Sequence, residues 1–156
     1  MTGLVIERAA DPTDDVRLLI GELDAELLQR YPPEQRHGLK LDALFQPHIR
    51  FFTARLDGQP AGCGGIALFA DFAELKRMYV RPAARGRGVA DAILARLIAE
   101  AVKDGSRLVR LETGTGQAAA IRFYRRAGFE PCTAFEPYRS MPPASIVTSL
   151  FMEKRL

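Results

Sequence analysis

Between Leu4 and Arg8 apolar and polar residues alternate, a period of two that predicts an opening strand. From Asp11-Pro12 or Thr13 the period becomes helical, with Val16, Leu19, Ile20, Leu23, Leu27 and Leu28 recurring until Tyr31-Pro32-Pro33 stops the pattern. Segment 34–47 holds only a short apolar cluster, Leu39, Leu41, Leu44 and Phe45, and reads as a loop or short helix. Ile49 to Leu56 and Ala61 to Phe69 flank Asp57-Gly58, a pair suited to the two positive-φ positions of a tight hairpin, so both are expected as antiparallel strands. Gly62, Gly64 and Gly65 point to a bulge or a close backbone approach in the second of them.

Phe72 to Val80 reads as a further strand, ended by Arg81-Pro82. Val89, Ile93, Leu94, Leu97, Ile98, Ala101 and Val102 then mark a long helix closed near Gly105. Leu108 to Thr113 is strand-like, Gln117 to Arg126 helical with Gly128 behind it, Phe129 to Phe135 extended, and Ile146 to Met152 a last strand after the Met141-Pro142-Pro143 loop. This order implies an α/β mixed sheet with helices on its faces. No repeat, low-complexity tract or linker divides it, so residues 1–156 are expected to form a single domain.

The composition, 47% hydrophobic, supports a packed core. No apolar run nears the ~20 residues a membrane span needs. Met1-Thr2-Gly3-Leu4 lacks the order of a signal peptide, so a cytoplasmic protein without a membrane partner is expected. Cys63, Cys132, His37 and His48 form no recognisable ligand spacing, and no metal is expected.

Charge changes the picture locally. Lys76, Arg77, Arg81, Arg85 and Arg87 give the stretch Leu75–Ala90 a charge of +5 with no acid, against a formal net charge of +3 for the whole chain. A nucleic-acid binder spreads its positive charge along a face, whereas this excess is confined to one segment, so an anion site is expected and nucleic acid is not. Seven acids between Asp11 and Glu34 read as a solvated helix face, with attraction of a cationic amine as the functional alternative.

The basic stretch contains Arg85-Gly86-Arg87-Gly88-Val89-Ala90 between a strand and a helix. Glycines let a phosphate approach the backbone, and the helix start presents unpaired N–H groups at its positive end. A Walker loop would need Lys-Ser or Lys-Thr after Gly88, where Val89-Ala90 stands. A dinucleotide loop would need a small residue where Asp91 stands, although Glu112, 24 residues beyond Gly88, fits the ribose-binding acid of that reading.

A third pattern matches residue by residue. Arg85 to Ala90 fits the (Gln or Arg)-x-x-Gly-x-(Gly or Ala) signature and resembles the GNAT superfamily, the acetyl-CoA-dependent N-acetyltransferases. Ala73 to Pro82 resembles the strand that enters that loop, and Leu111-Glu112-Thr113-Gly114 with Ala120 to Phe129 resembles the second conserved region. The closing Phe151 to Leu156 is similar to bacterial members.

The resemblance implies a GNAT fold, with a mostly antiparallel twisted sheet splayed at the acetyl-CoA site. It implies that the backbone of Met78, Tyr79 and Val80 takes pantetheine, and that Met78 N–H polarises the thioester carbonyl. It implies that Arg85, Gly86, Arg87, Gly88, Val89 and Ala90 take the pyrophosphate. Tyr124 matches the tyrosine that protonates the departing sulfur, with Phe123 expected in the core because it points about 100° away on the helix. Glu74 or Glu112 would accept the amine proton. Gln117 stands where many relatives carry a cofactor-contacting asparagine. Transfer would be direct, to a small-molecule or protein amine, with monomer or homodimer left open. A non-catalytic acyl-CoA sensor and an NAD-binding oxidoreductase are the alternatives.

Overall fold

The Asp57-Gly58 turn sets the frame of the sheet. Both residues hold positive φ, 51° and 81°, and join β2 (Ile49–Leu56) to β3 (Gln59–Leu68) as a tight hairpin. The computed structural model describes residues 3–156, so Met1 and Thr2 and the leader reading placed on them lie outside the described residues. β1 (Leu4–Ala9) pairs with β2, β4 (Ala73–Val80) with β3, and β7 (Ser149–Arg155) with β5 (Leu108–Gly114) and β6 (Glu130–Cys132), all antiparallel. Among the described residues only β4 and β5 run parallel, giving one sheet of order β1-β2-β3-β4-β5-β7-β6.

Alternation along the strands divides the core. Helix α2 (Val89–Lys103) lays Ile93, Leu94, Leu97 and Ala101 on one face, against Phe52, Ile66, Leu75 and Leu111. Helix α3 (Ala118–Arg126) joins that face through Tyr124. On the other face α1 (Asp14–Leu28) packs Val16, Leu19, Ile20 and Leu23 on Phe51, Cys63 and Tyr79. Each such side chain contributes about 1.5–3 kcal/mol when fully buried, so the two helices clamp the sheet from both sides. Thr13 fixes the start of α1 by accepting the Val16 amide at 3.3 Å. No helix among the described residues is long and apolar enough to cross a membrane.

Several boundaries differ from the sequence pattern. Segment 34–47 forms two single 3-10 turns, Pro33–Gln35 and Leu41–Phe45. The extended run of 129–135 shortens to β6, because Phe135 and Tyr138 turn inward to a third apolar cluster with Phe151. Ile146 belongs to one helical turn, Pro143–Ile146, and the last strand starts at Ser149. β3 carries the expected bulge against β2, Ala61 being the extra residue between Ala54↔Gly62 and Arg55↔Pro60, and β4 carries a second one against β3. The register passes from Cys63↔Tyr79 to Gly65↔Lys76, so Arg77 and Met78 together oppose Gly64, with Arg77 at a φ of 56°. The glycines of β3 supply the close approach. A Cβ on Gly62 would stand 2.7 Å from the Tyr79 carbonyl oxygen, and one on Gly64 2.5 Å from Met78 Sδ.

Candidate active site

The parallel ladder between β4 and β5 is two residues long, Ala73↔Val109 and Glu74↔Arg110, and beyond it the strands part. The bulge at Arg77 follows at once and bends β4 away from its neighbour. A cleft of about 550 Å³ opens in the gap, with a second hollow of about 260 Å³ where β4 runs into α2. The Arg81 amide donates to Ala61 O of β3 at 2.8 Å, and Val80 O accepts from Arg85 Nε at 3.0 Å. Backbone direction alternates along a strand, so the N–H and C=O of Val80 face the cleft while those of Tyr79 face β3, and Met78, at the bulge, lines the cleft. The Tyr79 side chain turns to α1 and donates to Glu22 Oε1 at 3.0 Å; burial, then that bond, push its phenol up to about 12.

At the hollow Gly86 and Gly88 hold φ of 78° and 81°, with nothing within 4 Å of an added Cβ. The first helical bond of α2 runs from Ala92 N–H to Gly88 O, so the amides of Val89, Ala90 and Asp91 have no partner within the helix, and Gly88 has no side chain to fill them. Arg85 reaches over the cleft, 3.5 Å from Glu26. Arg87 turns back to Asp57 at 3.3 Å, away from the hollow. Arg126 lines the hollow, a cation the motif reading missed. Its spacing from Arg122, one turn earlier on α3, was the available signal. Gln117 precedes α3, borders the cleft and accepts from Arg30 Nη1 at 3.5 Å. Phe123 lines cleft and hollow alongside Tyr124, in addition to its contact with the core.

Two acids reach the cleft in different states. Glu74 is 1% exposed, stands 3.0 Å from Lys76 Nζ and accepts from the Tyr138 hydroxyl at 2.6 Å. Lys76 also donates to that hydroxyl at 2.8 Å, closing a triangle that sequence could not show because Tyr138 lies 64 residues from Glu74. Glu112 is half-buried and accepts from Ser149 Oγ at 2.7 Å. Burial raises its carboxyl above the ordinary 4.5, opposed by the Ser149 bond and by the nearby His37 and Lys76. His37 borders the cleft, its Nε2 2.7 Å from Ser145 O and its ring edge-on to Tyr138, whereas His48 packs on Phe69. Tyr124 is buried against Phe129 on the opposite face of the sheet from Glu112. Its hydroxyl has no protein partner among the described residues, and burial pushes the phenol well above its ordinary range.

Four of the seven acids between Asp11 and Glu34 are paired, while Asp11, Asp14 and Glu34 are exposed. Glu22 holds Arg81 at 3.0 Å, Asp24 holds the buried Arg77, Glu26 holds Arg85, and Asp15 holds Arg55 at 2.8 Å. The helix thus neutralises much of the basic segment beside it.

A sheet splayed beside a glycine loop and a helix start is the architecture of acyl-CoA N-acyltransferases, and comparison agrees. The model of the acetyltransferase (GNAT) family matches residues 18–129. The IAA acetyltransferase of Azospirillum brasilense is 42% identical over 158 residues, covering 100% of both chains. The uncharacterized N-acetyltransferase YedL of Escherichia coli is 33% identical over 90% of this chain and 94% of its own. A crystal structure from Klebsiella pneumoniae that bears the name acyl-CoA N-acyltransferase superposes with a TM-score of 0.76 at 35% identity, covering 98% of this chain and 97% of that one. The chain belongs to the GNAT acetyltransferase family and is an acyltransferase; the oxidoreductase and sensor readings give way.

Proposed function

We propose that the enzyme takes acetyl-CoA in the β4–β5 cleft and transfers its acetyl group directly to a primary amine within a ternary complex. The observation that carries this reading is the splay itself: a window through the sheet with Glu112 on one face and Tyr124 on the other. Bound acetyl-CoA supplies an acetyl group activated as a thioester.

The residues fit such a group. The cleft-side backbone of Val80 offers an extended ligand a strand to pair with, and Met78 N–H, at the bulge beside it, would polarise the thioester carbonyl. The left-handed Gly86 and Gly88, the open amides of Val89 and Ala90, and the cations Arg85 and Arg126 suit a diphosphate. Arg85 leaves the Val80 carbonyl when that carbonyl pairs with a ligand, freeing its guanidinium for the phosphates. Arg87 contributes through its backbone, its side chain being held by Asp57.

Glu112 takes the proton that the amine nitrogen loses as the new N–C bond forms. Its place in the cleft, single hydroxyl donor and raised pKa suit it to this, whereas Glu74 is already neutralised by Lys76. Tyr124 gives the proton that the leaving sulfur needs as the C–S bond breaks. Burial keeps its phenol protonated and loaded at neutral pH. Burial also pushes the Cys63 thiol up to about 12 and that of Cys132 up to about 11, so neither offers a thiolate for an acetylated intermediate.

Calorimetry with acetyl-CoA, and NAD(H) as comparator, tests the site together with turnover on an amine panel. Micromolar acetyl-CoA binding that weakens in Arg85→Ala/Arg126→Ala is expected, with Tyr124→Phe lowering kcat roughly 100-fold at little change in the acetyl-CoA KM. Unchanged turnover in Tyr124→Phe removes the assigned acid, and absence of acetyl-CoA binding removes the reading.

A further inference from the structure

We infer that the acceptor is an amino acid or a closely related amine carrying a carboxylate, read by Lys76 and Arg36. This rests on the cleft being the acetyl-transfer site. An ammonium has three N–H groups; Lys76 donates to Tyr138 at 2.8 Å and is ion-paired with Glu74 at 3.0 Å. Donor capacity is left over, on a side chain that is 12% exposed and lines the cleft. Glu74 and Tyr138 together hold the ammonium in one place, which an exposed lysine would not achieve. Arg36 lines the same cleft and makes no ion pair among the described residues. Two cations with donors to spare in one cleft suit a ligand anion.

The spacing fits one small molecule. Lys76 and Glu112 each lie two residues beyond the last β4–β5 pair, Glu74↔Arg110, so they face one another across the mouth of the splay on the same side of the sheet. An amine at Glu112 therefore puts a neighbouring carboxylate at Lys76. A diamine would set a second cation against Lys76 and Arg36, with the carboxylates of α1 already engaged by Arg77, Arg81 and Arg85. A zwitterion satisfies both poles.

The experiment compares each L-amino acid with its amide and its decarboxylated amine, as ratios of kcat/KM in one enzyme preparation. A preference of about tenfold or more for the carboxylate is expected, because a site built to bind a charged group leaves its own donors unmet with the analogue lacking it. That ratio falls toward one in Arg36→Gln and in Lys76→Met/Glu74→Gln, the double change avoiding a lone buried charge, and Lys76→Arg regains part of it. Calorimetric acetyl-CoA binding reports that each variant is folded. Equal turnover of acid, amide and amine, or a preference that survives both substitutions, overturns the carboxylate site while leaving acetyl transfer standing. Turnover of no amine at all overturns the parent reading and this one with it.

Discussion

At position 112 the chain keeps a carboxyl half out of water, next to one hydroxyl and within reach of Lys76 and His37, and the balance still lies with burial. A carboxyl raised above 4.5 when folded binds its proton more tightly folded than unfolded. Its contribution to stability is therefore present at acid pH and is lost as pH rises through the folded value. Glu112→Gln is expected to melt at or above the unsubstituted protein near about pH 8, with the gap closing toward about pH 4, while kcat falls and the rising acid limb of its pH profile disappears. Thermal melts across pH and a pH–rate profile check both, and a melting loss at alkaline pH contradicts the sign. Sequence alone names Glu74 and Glu112 as equals, since both are acids on strands facing one gap. What separates them is Tyr138 and Lys76, whose contact with Glu74 depends on how the 133–148 segment folds back, and no local spacing encodes that.

Among the elements, the strand-loop-helix unit was legible in full because its information is local: periodicity gives β4 and α2, and glycines with arginines give the loop. The hairpin was legible for the same reason. The bulge was only half legible. Glycines 62, 64 and 65 announce the crowding and the bulge at Ala61, yet a second extra residue sits on the partner strand, where Arg77 accepts a left-handed backbone and anchors to Asp24. Gly38 on the opposite loop leaves room for that guanidinium, since a Cβ there would collide with it. Gly62→Ala probes the fit directly. Its new Cβ meets a backbone oxygen of β4 at 2.7 Å, so β4 must shift and carry Met78 and Val80 with it. The expected outcome is an acetyl-CoA KM about tenfold to 100-fold higher, since displacements near 1 Å cost that much at a reacting centre. Steady-state kinetics checks it, and an unchanged KM would show that β4 does not align the ligand.

Across the whole molecule, β1 to β4 with α1 and α2 come from residues 4–103, and β5 to β7 with α3 from residues 108–155. The sheet joins these halves through two residue pairs, Ala73↔Val109 and Glu74↔Arg110, while Val109, Leu111, Tyr124, Phe129 and Met152 pack among the side chains of α2 and β2 to β4 in one shared core. The acidic face of α1 was read as solvent-facing because sequence shows charge but not its partner, and here the partner is a strand more than fifty residues on. A ladder so short beside an apolar contact so broad gives the two pieces complementary surfaces. Fragments 1–104 and 105–156, cut where Gly105 already turns the backbone at a φ of 87°, are expected to recombine on mixing. Acetyl-CoA would lie across the join and staple it, so reassembly should tighten with ligand by mass action, and light scattering with and without acetyl-CoA measures it. Fragments that never associate would mean that the covalent link does what these surfaces are assigned here. If they do associate, the gap between β4 and β5 is also the line along which this enzyme divides, and a ligand bound across it would serve as a structural member.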